Sequence, residues 1–134
     1  MGSSRGTPYS NYNIRDGDWT LEQRWDFDWS DLGKYDIPAF VEKVREVTGK
    51  PKVTLIGYSQ GGAQIFYGLA TDQDWFAERV HRFVALSPCH YVRKDLDYEI
   101  ESIRYRRFHD AGLYNFFGGD ESTVTLENCA RVSH

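Results

Sequence analysis

Gly57-Tyr58-Ser59-Gln60-Gly61 sets a serine between two glycines at the spacing of a nucleophile elbow, G-x-S-x-G. In such an elbow the serine sits on a sharp, strained turn, and its hydroxyl projects clear of the sheet. Side chains at positions 57 and 61 are expected to collide with the neighbouring strand and helix, and glycine has none. The Gln60 N–H, at the start of a helix, would then point at a developing oxyanion. Composition alone yields the pattern at roughly 3 × 10⁻⁴ per window, or in about one chain in twenty of this length, with Gly and Ser near ~7% each. Its setting adds weight. A β-branched run, Val53-Thr54-Leu55-Ile56, precedes it, and a helical pattern through Ala63, Ile65, Phe66, Leu69 and Ala70 follows. The same residues also fit a plain strand-to-helix turn of a nucleotide-binding or flavodoxin-like fold, with Ser59 as a cap.

A serine hydroxyl needs a base, normally His, and that base needs an orienting carboxylate. In α/β-hydrolases, which use this elbow, the order is Ser, then Asp or Glu, then His. The histidines after Ser59 are His81, His90, His109 and His134. His81 opens an apolar run at the wrong end of a βαβ unit. His90 follows Ser87-Pro88-Cys89 at the carboxyl end of that run, but precedes any suitable acid. His109 adjoins Asp110, and neighbouring residues rarely build a triad. His134 with Asp120 gives the right order, but a terminal residue is a poor place to hold a base. The base and acid therefore stay unassigned, with His109, His134 and Asp120 as the remaining candidates. A surface role is the plainer reading for all four histidines. Nothing in the sequence calls for a metal or another cofactor.

The elements that must position this motif are short. Ile37, Phe40, Val41, Val44 and Val47 share one helical face and predict a helix within 36–48. Asp36 is its expected N-cap, or the helix begins near Ser30 and bends at Pro38; Gly49 and Pro51 stop it. Val53–Ile56 predicts a buried strand, residues 60–70 a second helix and 74–80 a third. Phe83-Val84-Ala85-Leu86 predicts a second strand, closed by Ser87-Pro88. This alternation implies βαβ units with a parallel sheet, an α/β fold. Trp25-Asp26-Phe27-Asp28-Trp29 reads as a short half-buried strand or as aromatic anchors pinning a loop. Residues 1–20 read as loop, and residues 93–107, with five basic and four acidic side chains, as a solvated helix.

Several segments together resemble the acid lipases, the family of gastric and lysosomal acid lipases and fungal steryl-ester hydrolases. They are Ser4-Arg5-Gly6-Thr7, Trp25-Asp26-Phe27-Asp28-Trp29, Lys34-Tyr35-Asp36-Ile37-Pro38-Ala39, Gly57-Tyr58-Ser59-Gln60-Gly61 and Phe83-Val84-Ala85-Leu86-Ser87-Pro88, in that family's order and spacing. The resemblance covers about residues 3–92 and fades beyond. It implies a partial α/β-hydrolase domain over 1–134, with a core segment over about 1–92 and the start of a cap over 93–134. It further implies a lipase that cleaves triacylglycerols or sterol esters through an acyl-enzyme. Ser59 matches the nucleophile and Gln60 the residue whose N–H forms half of the oxyanion hole. Tyr58 stands where the family usually has His, beside the nucleophile. The family's other oxyanion loop would precede Met1, and its catalytic Asp and His would lie beyond the cap. The chain is thus expected to be an internal segment with little activity by itself. The alternative is a non-catalytic, lipase-like remnant serving as a structural or interaction subunit. A third reading is a compact hydrolase that recruits His109 or His134 as its base.

Composition bounds the rest. The 134 residues are 40% hydrophobic, 16% aromatic and 27% charged, which suits one globular domain. A net charge of −4 gives no basic surface for nucleic acid or anionic membranes. No run of 18 apolar residues predicts a transmembrane segment. The first residues lack the apolar stretch of a signal peptide. The compartment is open, although the resembling family is commonly secreted or lysosomal. Cys89 and Cys129 could form one bridge or stay free. The expected partner is a lipid ester substrate, and a partner chain could complete the sheet.

Overall fold

The computed structural model describes residues 1–7, 9–10, 20–89, 96–113 and 125. The chain divides into two units. One holds Phe27–Val92 with Gly2, and the other holds Met1, Ser3–Asp26 and Arg93–His134.

In the second of these, helix α1 spans Leu21–Trp25 and begins with a capping box. Thr20 Oγ1 accepts from the Gln23 N–H, and the Gln23 side chain accepts from the Thr20 N–H. Near its amino end, Thr7 folds its hydroxyl back onto the Ser4 carbonyl at 2.9 Å.

The unit around the elbow opens with a continuous helical run. Helix α2 (Trp29–Asp31) passes into a π-helical turn, Leu32–Asp36, and then into α3 (Ile37–Thr48). This corrects two expectations. Trp25–Trp29 forms no strand: Trp25 closes α1, and the Asp28 carboxylate caps α2. Asp28 accepts from the Ser30 N–H at 2.7 Å, and Asp31 returns a bond to the Asp28 N–H at 2.9 Å. An acid at that position satisfies first-turn N–H groups and outcompetes strand pairing. Asp36 is not an N-cap. It is buried, has helical φ and ψ, and makes no side-chain cap bond. The alternative start near Ser30 is the observed one. Gly49 ends α3 in the left-handed region, φ 66°, as a glycine after a helix can.

Strand β1 (Val53–Tyr58), helix α4 (Gln60–Thr71), helix α5 (Gln73–Arg79) and strand β2 (Val80–Leu86) complete this unit. The two strands pair in parallel, with Leu55 beside Phe83, Gly57 beside Ala85 and Tyr58 beside Leu86. Ile37, Ile65 and Phe76 form the buried core cluster, and Phe40, Leu55, Leu69, Trp75, Val80 and Phe83 pack around it. The inward face of β1 is thus Val53, Leu55 and Gly57. The other face carries exposed Ile56 (67%) and Tyr58 (71%), with Val84 and Leu86 exposed on β2. Gly33 and Gly68 let the π-helical turn run close to α4: a Cβ on Gly33 would lie 2.6 Å from the Gln64 carbonyl oxygen.

Helix α6 spans Leu96–Asp110, reaching past the expected 93–107; residues 93–95 lie outside the described ones. Its end is well defined. Gly112 adopts φ 74°, and the Leu113 N–H donates to the Phe108 carbonyl at 2.9 Å. No helix among the described residues is long and apolar enough to cross a membrane.

Candidate active site

Ser59 is the single residue between β1 and α4, with φ 52° and ψ −121°. A non-glycine residue at positive φ costs about 1–3 kcal/mol and persists only where its surroundings hold it. Four backbone hydrogen bonds do so. The Ser59 N–H donates to the Leu86 carbonyl at 3.0 Å. The Ser59 carbonyl accepts from Gly62 at 3.0 Å, Ala63 at 3.3 Å and Cys89 at 3.2 Å.

The crowding around this turn differs in part from the expected pattern. A Cβ on Gly57 would lie 2.8 Å from the Gly62 N and Cα atoms, so the demand for glycine there is steric. A Cβ on Gly61 would meet nothing within 4 Å among the described residues. The crowded glycine on the helix side is Gly62, where a Cβ would lie 2.7 Å from the Pro88 Cβ. Sequence reasoning missed Gly62 because its neighbour comes from the turn after β2. The signal available was Ser87-Pro88, read only as the end of a strand.

The half-buried Ser59 presents its Oγ 3.6 Å from the Cys89 Sγ, and either atom can donate. Gln60 opens α4, so its N–H lies in the first turn, where no intrahelical acceptor exists. The helix macrodipole adds partial positive charge at this end. A carbonyl oxygen placed there and gaining negative charge would be stabilised. Tyr58 lies on the opposite sheet face from Gly57, exposed beside Leu86.

The candidate bases distribute as follows. His81 lies near the start of β2, and Ser59 follows the end of β1. At ~3.3 Å per residue that is about 16 Å along the sheet, too far for proton transfer. His109 lies in the other unit, exposed, with its Nδ1 3.6 Å from the Asp110 carboxylate. His90, His134, Asp120 and Cys129 lie outside the described residues. Cys89 is a free thiol. Among the described residues no cluster of His, Cys, Asp and Glu could hold a metal ion.

Comparison with known proteins bears on the family. The family model for the alpha/beta hydrolase fold matches residues 1–130. The Caenorhabditis elegans lipase lipl-3 is 30% identical over 125 residues, covering 90% of this chain and 30% of that protein. Human gastric triacylglycerol lipase is 30% identical over 121 residues, covering 90% of this chain and 29% of its own. Drosophila melanogaster lipase 1 is 34% identical over 99 residues, covering 73% of this chain and 22% of its own. The chain thus spans less than a third of the length of these relatives. The match over residues 1–130 shows that the chain belongs to the alpha/beta hydrolase fold family, and the relatives it resembles within that fold are lipases.

Proposed function

We propose that this chain carries the nucleophile of a serine lipase, a carboxylic-ester hydrolase of lipid esters such as triacylglycerols or sterol esters. The observation that carries the reading is Ser59 at φ 52° between β1 and the amino end of α4. In this reading the Ser59 Oγ attacks the acyl carbon while a base takes its proton. The carbonyl oxygen gathers charge against the Gln60 N–H, and the alcohol leaves to give an acyl-enzyme. Water, losing a proton to the base, then attacks the acyl carbon; the bond to the Ser59 Oγ breaks, the carboxylic acid leaves and the base returns the proton to Ser59. The base and its acid stay unassigned, with His109, His134 and Asp120 as the remaining candidates. The relatives' names support the lipid substrate class, with a triacylglycerol in one of them.

One observation favours the second reading, a lipase-like interaction subunit. The sheet face of Ile56, Tyr58, Val84 and Leu86 is apolar and exposed, and parallel sheets are ordinarily covered on both faces. Ester turnover separates the two readings. The protein, as its gene encodes it, should hydrolyse an emulsified triacylglycerol or a sterol ester, and Ser59→Ala should reduce the rate to background. Hydrolysis that survives Ser59→Ala in the folded protein would overturn the nucleophile assignment. A folded protein with no turnover would leave the interaction subunit.

A further inference from the structure

The Ser59 hydroxyl has a described side-chain neighbour that is no general base. The Cys89 Sγ lies 3.6 Å from the Ser59 Oγ, and the Cys89 N–H donates to the Ser59 carbonyl at 3.2 Å. A thiol at that separation is a weak hydrogen-bonding partner, able to favour one hydroxyl orientation. The contact is built by the turn that follows β2. The Leu86 carbonyl takes the Ser59 N–H at 3.0 Å, and Ser87 adopts φ 43°. Pro88 then covers Gly62, leaving no room for a side chain there. Consecutive residues from Leu86 to Cys89 therefore grip the elbow from its N–H, its carbonyl, its helix and its hydroxyl.

We propose that Ser87–Pro88–Cys89 is a positioning element for Ser59, and that the Cys89 thiol fixes the orientation of the Ser59 hydroxyl. The inference rests on Ser59 being the nucleophile, because only then does the orientation affect a rate. Cys89 is a positioning residue here and forms no bond to substrate. The expected size follows from rotamers. A free hydroxyl-bearing side chain divides among three staggered wells, so losing the contact lowers the oriented fraction by at most about threefold.

The test starts from Cys129→Ser, which leaves Cys89 as the single thiol of residues 1–134. In Raman spectra of this protein the S–H stretching band of Cys89 should shift when Ser59→Ala is added; an unshifted band would overturn the contact. In the same background, Cys89→Ala should slow labelling of Ser59 by a fluorophosphonate, by up to about threefold. It should lower kcat for a p-nitrophenyl ester and leave KM unchanged, and Cys89→Ser should restore the rate. Equal or faster labelling in Cys89→Ala would overturn the positioning role. If the parent protein does not label at Ser59, the nucleophile reading fails, while the S–H band still decides whether the thiol orders the hydroxyl.

Discussion

Ser59 holds its strained backbone because both its N–H and its carbonyl are tied to the end of β2 and the turn beyond it. The glycines around it then have unequal tasks. Gly57→Ala would drive a Cβ to within 2.8 Å of the Gly62 backbone, which cannot swing aside. Overpacking of that kind costs about 1–3 kcal/mol, and denaturant unfolding should register it. Gly62→Ala meets Pro88 and should cost a similar amount. Gly61→Ala meets open space among the described residues, and in a helix it should stabilise by about 0.5–1 kcal/mol. A large loss for Gly61→Ala, or none for Gly57→Ala, would contradict this assignment of crowding. The pentapeptide alone made Gly57 legible. The need at Gly62 was not, because Pro88 approaches it only once β1 and β2 have paired.

At the scale of elements, local chemistry decided more than periodicity did. The apolar spacing from Ile37 to Val47 marked α3, but of that face only Ile37 and Val41 are buried, and Val44 and Val47 are exposed. The start of the helical run was set by Asp28, whose two N–H bonds were hidden inside an alternating aromatic-acidic pattern that mimics a strand. The hydrogen bond from the Ser30 side chain, with backbone bonds from Ser30 and Asp31, holds the Asp28 carboxyl below its ordinary 3.8. The folded state thus favours the ionised form. Its contribution is present above the unfolded value and is lost as pH falls through the lower folded one. Asp28→Ala should lower Tm at neutral pH, and the gap from the parent should narrow as pH drops below 3.8. A gap that widens in acid would contradict the cap. Phe76, from α5, is almost fully buried at 2% exposure and touches Gly68 of α4. Phe76→Ala should cost about 3–5 kcal/mol in thermal or denaturant unfolding. A loss under 1 kcal/mol would show that the core lies elsewhere.

For the molecule as a whole, the α/β class and the parallel pairing were legible because a β-branched run and a second short apolar run flank helical segments. The role of the second strand's turn was not legible, since it depends on contacts between residues far apart in sequence. The sheet's uncovered side yields its own prediction. With Ile56 and Tyr58 67% and 71% exposed, residues 1–134 should bind a fluorescent apolar dye. Ile56→Lys with Leu86→Lys should reduce that binding while moving stability by less than about 1 kcal/mol. A severe loss of stability in the double variant would mean that this face is packed. The central claim is narrower: the elbow makes Ser59 a nucleophile. Peptide-resolved mass spectrometry after reaction with a fluorophosphonate tests it most directly. A covalent adduct on the peptide carrying Ser59, abolished by Ser59→Ala and by prior unfolding, is the predicted result; a folded protein whose adduct sits on another residue would contradict it.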